Sequence, residues 1–300
     1  MKKRVLTGAI IILIMVGAFL LREIHTLFFD LLIVFMMIIA GMEMAKALSN
    51  NFDSPLLPVV VVFPVMAYAV FSVSAFSSNH FGSGLNIDGL ALVFLLVGVT
   101  FLAMMILSFF KKSIEMNNIL TTLFIMIYPQ CLLACLFAVN NTLDKWFSLV
   151  PLVIVFGVSA LSDTSAYLIG ITFKGPKLAP EISPKKTISG AIGGLLGGVI
   201  ASLLVMLLGY YKIGDFRLLN LSLGLNFLNF VILGLFGSVF TQIGDLVASI
   251  IKRSAGIKDY GSVLPGHGGV MDRCDGLMFN GLFVYTYFLV LHIFSIGAIA

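Results

Sequence analysis

Long apolar runs alternate with short polar connections along most of the chain. Continuous apolar stretches cover residues 5–21, 27–47, 55–76, 88–110, 119–139, 147–171, 190–210, 226–251 and 277–299. Each is long enough to cross about 30 Å of hydrocarbon as a helix. None shows the period-two alternation of a membrane barrel strand, so each predicts an α-helix. The expected fold is an all-α integral membrane protein, a polytopic bundle of about nine transmembrane helices. Pro58, Pro64, Pro129 and Pro151 fall within these runs or at their edges and predict kinks. The run GAIGGLLGGVIAS (190–202) reads as a face for close helix packing. It lies within a span and lacks the GK[ST] ending of a phosphate loop.

Two aspartates interrupt the apolar pattern, Asp163 in VSALSDTSAYLIG and Asp245 in FTQIGDLVASIIKR. An acid at membrane depth costs about 2.5–3.5 kcal/mol on insertion scales, so each is expected to face a cavity or a partner. Ser238, Thr241, Gln242, Ser249 and Lys252 share the helical face of Asp245, and Ser159, Tyr167 and Gly170 that of Asp163. For Ser159, Ser238 and Thr241, interhelical hydrogen bonding suffices as a role. Asp30, near the end of its span, reads as a local anchor.

Composition agrees with the pattern: 60% of residues are hydrophobic and 11% charged, against about a quarter charged in soluble domains. The basic start followed by an apolar run resembles a signal peptide. Arg22, Glu23 and His25 follow it with no small-residue cleavage site, which predicts an uncleaved first span. With the N-terminus inside, alternate connections hold Lys2, Lys3, Arg4, Lys46, Lys111, Lys112, Lys174, Lys177, Lys185, Lys186, Lys252, Arg253, Lys258 and Arg273 on the inner side. Only Arg22, Lys145, Lys212 and Arg217 fall outside. This asymmetry places the N-terminus and the loops 172–189 and 252–276 in the cytoplasm. The net charge of +4 is then a topology signal and points to no nucleic-acid partner. Cys131 and Cys135 share a helix face as packing residues, and Cys274 lies in a charged loop, so no disulfide framework is expected. The division expected is 1–145, N-terminal transmembrane helices, and 146–300, a C-terminal catalytic domain carrying both polar loops.

The loop SIIKRSAGIKDYGSVLPGHGGVMDRCDG (249–276) concentrates chemistry. Asp272 and Asp275 stand three apart and share a face if a helix begins there. With Asp245 they offer hard carboxylate oxygens of the kind Mg²⁺ accepts. Gly266, Gly268 and Gly269 allow backbone amides to approach an anion, with His267 between them as a turn residue of that substrate-binding segment. Lys252, Arg253, Lys258 and Arg273 supply charge for phosphate oxygens. In the other loop, Lys185, Lys186 and Thr187 precede a glycine-rich helix whose N-terminus could meet a phosphate. The residues point to metal-dependent phosphate chemistry at the cytoplasmic interface.

The stretch S-x-I-K-R-x4-K-D-x-G-x2-L-P-G-H-G-G-V-x-D-R-x-D, Ser249 to Asp275, resembles the signature of the phosphatidate cytidylyltransferase (CDP-diacylglycerol synthase) family. Gly244-Asp245, the block D-x-x-A-Y-x2-G from Asp163, K-L-A-P-x-I-S-P-K-K-T at 177–187 and the opening KRVLTG fit as well. Two positions depart from the pattern. Lys174-Gly175 stands where the family commonly has Gly-Lys, and Ser189 where a glutamate is common.

The resemblance implies cytidylyl transfer from CTP to phosphatidate in phospholipid biosynthesis, giving CDP-diacylglycerol and pyrophosphate, in a membrane-embedded homodimer of the cell (inner) membrane. It implies Mg²⁺, with a monovalent cation such as K⁺ beside it. Asp245, Asp272 and Asp275 are the expected metal ligands and, with Lys252, the catalytic set. Asp163, Lys185, Lys186, Thr187, Ser249, Arg253, Lys258, Gly266, His267, Gly268, Gly269 and Arg273 are the expected substrate-binding set for CTP (or dCTP) and phosphatidic acid. A CTP-dependent kinase of a lipid alcohol and an ion-coupled transporter are the alternatives. The acids cluster toward one face and no internal repeat is visible, which speaks against the transporter.

Overall fold

The computed structural model of the chain describes residues 2–80, 88–141, 147, 149–214, 216, 218–266 and 268–294. Among them the helices are α1 (Lys2–Arg22), α2 (Leu27–Leu48), α3 (Leu57–His80), α4 (Gly89–Phe110), α5 (Met116–Ile125), α6 (Leu132–Asn141), α7 (Val150–Phe173), α8 (Ile188–Tyr210), α9 (Leu223–Ser254) and α10 (Met271–Ile293). A π-helical segment, Met126–Cys131, joins α5 to α6 into one span. Eight of the described elements are long and apolar enough to cross a membrane, and α1 adds a shorter apolar stretch, Thr7–Arg22. The protein is a multi-pass all-α membrane protein, and among the described residues each apolar run of the sequence falls on a helix.

The prolines act by position. Pro58 and Pro151 stand in the first turns of α3 and α7, where no intrahelical bond is lost, so the kinks expected there do not arise. Pro129 does interrupt its span, with Tyr128 in an extended conformation between α5 and α6. Pro64 lies inside α3.

By contact density the chain forms two compact units, Met1–Ala138 with Lys252–Cys274, and Val139–Ile251 with Asp275–Ala300. In the first, α2 is the central element: Phe29, Ile33, Met37 and Met44 are fully buried on it. Gln130, also fully buried, donates from Nε2 to the Val60 carbonyl at 2.7 Å, and Gly41 of α2 leaves the room this amide needs. The carbonyl freed near the α3 proline thus finds a donor inside the unit.

In the second unit the glycine run of α8 is a packing face, as its composition predicts. Cβ atoms on Gly190 and Gly193 would stand 2.8 Å from the Ala166 carbonyl and 2.6 Å from Ile169 of α7. On the other side of α8, Gly198 meets Gly234 and Ser238 of α9. Ser159 Oγ and Thr241 Oγ1 lie 3.3 Å apart, and Asn280 Nδ2 donates to Ser159 at 3.1 Å. The small polar side chains therefore bond between helices, as expected for Ser159 and Thr241. Ser238 instead donates to the Gly234 carbonyl of its own helix.

The polar segment before α8 is not a plain loop. It folds into an antiparallel hairpin, β1 (Lys177–Ala179) and β2 (Ser183–Thr187), with Lys177 opposite Thr187 and Ala179 opposite Ser183. Pro184 is tolerated because a two-stranded sheet is all edge.

Candidate active site

The segment after α9 is ordered around one carboxylate. α9 has 32 residues, about 48 Å at 1.5 Å per residue, and so extends well past a hydrocarbon layer of about 30 Å. Its last turn carries Lys252 and Arg253. Lys252 Nζ donates to Asp272 Oδ1 at 2.9 Å, with both side chains mostly shielded from solvent, and stands 5.4 Å from the Tyr260 ring centroid. Asp272 Oδ2 accepts from the Tyr260 and Gly269 amides, each at 3.0 Å. Asp272 lies in the first turn of α10, where a negative charge is favoured by the helix dipole. The structure thus brings Lys252, expected to supply charge for phosphate oxygens, onto Asp272, and the Gly269 amide is committed to this carboxylate.

Gly266 and Gly268 have φ of +76° and +85°, conformations that suit glycine, and Leu264 N–H bonds to the Gly268 carbonyl at 3.0 Å. These close the tight turn predicted for this segment, and His267 itself lies outside the described residues. Thr7 Oγ1 donates to the Pro265 carbonyl at 2.8 Å, tying the turn to α1. Arg253, Lys258 and Arg273 are exposed, leaving guanidinium and ammonium groups at the surface of this segment.

Sequence reasoning missed the residue beneath the segment. Glu43 of α2, 6% exposed, accepts the Met271 N–H on Oε2 at 2.8 Å. Its signal was available: it is an acid within an apolar run, like Asp163 and Asp245.

The second unit holds the other group of predicted residues. Thr187 caps α8, its Oγ1 accepting the Gly190 N–H at 3.1 Å. The capping fixes the end of β2, and Lys186 just before it forms an ion pair with Asp245 Oδ2 at 2.6 Å. α10 crosses α9 closely at glycines. A Cβ on Gly276 would stand 2.6 Å from Thr241 Cγ2, and one on Gly244 would strike the Asp275 carbonyl. Asp245 follows one of these glycines and Asp275 precedes the other, so both residues stand at the same crossing. Asp275 is 8% exposed and accepts the Gly276 amide at 2.8 Å, and Ser249 is buried. Lys185 and Asp163 are exposed. The two departures from the family pattern touch each other: the Ser189 hydroxyl donates to the Lys174 carbonyl, and Lys174 has φ +53°.

A sequence model described as the Cytidylyltransferase family matches residues 2–291. The chain belongs to the cytidylyltransferase family. It is 41% identical over 144 residues to the phosphatidate cytidylyltransferase of Brucella abortus biovar 1 (strain 9-941), covering 48% of each chain. It is 52% identical over 66 residues to phosphatidate cytidylyltransferase 4, chloroplastic, of Arabidopsis thaliana, covering 22% of this chain and 15% of that one. With phosphatidate cytidylyltransferase of Bacillus subtilis (strain 168) the identity is 45% over 64 residues, 21% of this chain and 24% of the relative. The matches thus span about half the length of these relatives or less.

For a cytidylyltransferase the question is whether the acids suit a divalent cation. Their oxygens are hard donors of the right kind. An ammonium already stands 2.6 Å from Asp245 and another 2.9 Å from Asp272, so each carboxylate presents lone pairs to a cation. Among the described residues, no three His, Cys, Asp or Glu side chains gather as a metal-holding group. The carboxylates fit a metal in kind, each as a single anchoring ligand.

Proposed function

We propose that this cytidylyltransferase-family protein transfers a cytidylyl group from CTP to phosphatidate. The observation that carries the reading is the Lys186–Asp245 pair: a half-buried acid beside the α9–α10 crossing and an ammonium with further donor capacity, on the residue just before the cap of α8. The names of the relatives support the lipid phosphate as acceptor.

A phosphate oxygen of phosphatidate attacks the α-phosphorus of CTP, the bond from that phosphorus to the β-bridging oxygen breaks, and pyrophosphate leaves. Both reactants are polyanions, so the protein's task is to neutralise and to align them. Lys186 faces the phosphates from the capped end of β2, with exposed Lys185 beside it. Asp245 holds the Lys186 ammonium in place until substrate competes for it. Asp245 and Asp275 in the second unit, and Asp272 in the first, are each a residue that would serve as a ligand to Mg²⁺. When bound, the ion lowers the repulsion between the two polyanions and stabilises the departing pyrophosphate.

The reading places this chemistry on the cytoplasmic side of the cell (inner) membrane, supported by the distribution of Lys and Arg among the connections. It also takes the protein to be a homodimer, which sedimentation in detergent tests directly.

Purified protein given CTP, phosphatidic acid and Mg²⁺ is expected to release pyrophosphate and to form CDP-diacylglycerol, with loss of both products in Asp245→Asn. Release of CDP in place of pyrophosphate would identify a lipid kinase. No product with any divalent metal would overturn the reading.

A further inference from the structure

Glu43 lies outside the 249–276 segment, more than two hundred residues before it, and none of the chemistry above uses it. Yet its carboxylate is enclosed by that segment. A Cβ added at Gly261 or at Gly269 would collide with the Glu43 carboxylate, standing 2.7 Å from its carboxyl carbon in both cases. Neither glycine has a positive φ, so their backbone conformation does not require glycine. What requires it is the space that Glu43 occupies. The same carboxylate accepts the Met271 amide at 2.8 Å, at the first residue of α10. That amide is one of the donors a helix start leaves without an internal partner. The next residue is Asp272, whose Oδ2 accepts from the amide of Gly269 itself and from that of Tyr260, the residue before Gly261.

We propose that Glu43 is a positioning residue: it braces the segment between Gly261 and Gly269 and fixes the start of α10, and so sets where Asp272 stands. Two concentric carboxylates order this segment. Asp272 gathers the Tyr260 and Gly269 amides and the Lys252 ammonium. Glu43, from α2, fills the space beneath and holds Met271. Without Glu43 the glycines face a void and the Met271 amide loses its acceptor. Asp272 then keeps Lys252 of α9, while the Tyr260 and Gly269 amides that it accepts lose their brace.

The enzymatic arm of the test rests on the cytidylyl-transfer reading, and the exchange arm does not. In detergent-solubilised full-length protein, Glu43→Ala is expected to speed amide exchange across residues 257–272 while exchange in α7 and α8 stays as in the wild type. A misplacement of Asp272 by about 1 Å lowers kcat by about a hundred-fold, with KM for phosphatidate unchanged. Glu43→Gln keeps the volume and an acceptor oxygen, and is expected to restore both protection and most of the turnover. If Glu43→Ala does not fold, the glycines decide. Gly261→Ala alone is expected to cripple turnover, and Glu43→Asp, whose shorter side chain withdraws the carboxylate, to relieve that defect in the double variant. Unchanged exchange in 257–272 for Glu43→Ala, or additive losses in the Gly261→Ala/Glu43→Asp pair, would overturn the proposal. Wild-type protein that makes no pyrophosphate would sink the functional reading and leave the exchange result to judge Glu43.

Discussion

Asp272 takes three donors at once, and the effects of removing it can be separated by donor. Asparagine there strands the Lys252 ammonium, whose side chain is 12% exposed, a loss of about 3 kcal/mol when the pair is buried. Asp272→Asn is therefore expected to lower the thermal midpoint in detergent and to abolish pyrophosphate release. Adding Lys252→Met removes the stranded charge, so the midpoint should partly recover while turnover stays absent. Turnover that recovers with stability would show that Asp272 serves only to hold the segment. At this scale the sequence shows the acids and bases by their rarity in an apolar chain, and Asp272, Lys252, Asp245 and Lys186 are all legible that way. It does not show pairing. Which lysine meets which aspartate, and that Gly261 and Gly269 are there for Glu43, depends on residues brought together from distant positions. The contact between Ser189 and Lys174 is likewise visible only in space.

Hydropathy locates the helices because lipid demands continuous apolar length, and it fails where the helix leaves that demand behind. α10 begins at Met271, not at the apolar onset near 277, because its first turn is stabilised by an acid at the helix start and an acceptor for the Met271 amide. The hairpin before α8 escaped notice for a related reason: strands of three and five residues, the second holding Pro184, carry no apolar alternation to read. The glycine face of α8 was legible, and it makes a discriminating prediction. Gly198→Ala places a methyl against Ser238 and the Gly234 carbonyl, and overpacking of this kind costs about 1–3 kcal/mol. Gly157→Ala in α7 meets nothing within 4 Å and is expected to gain up to about 1 kcal/mol from helix propensity. Thermal midpoints of the two variants in one detergent should move in opposite directions. A fall in both would mean that Gly157 faces a surface this single chain does not display.

For the molecule as a whole, the grouping of Lys252–Cys274 with Met1–Ala138 means that the signature segment is built on the N-terminal helices, although it is encoded near the other end. The N-terminal helices supply Thr7, Glu43 and Asn51 as its supports. Asn51 Nδ2 donates to the Ser254 carbonyl at 3.0 Å. Orientation in the membrane is the remaining property of this scale, and α8 allows a direct test. Its 23 residues span about 34 Å, enough to separate its two flanks by a hydrocarbon layer. Glu181 in the hairpin and Tyr211 after the helix are both exposed. The three native cysteines are buried, so the unmodified chain serves as background. With the lysine-rich side inward, a membrane-impermeant maleimide on intact cells should label Tyr211→Cys and leave Glu181→Cys untouched until the membrane is opened. The reverse pattern would invert the topology and place Lys185, Lys186 and the nucleotide chemistry on the side where no cytosolic CTP could reach them.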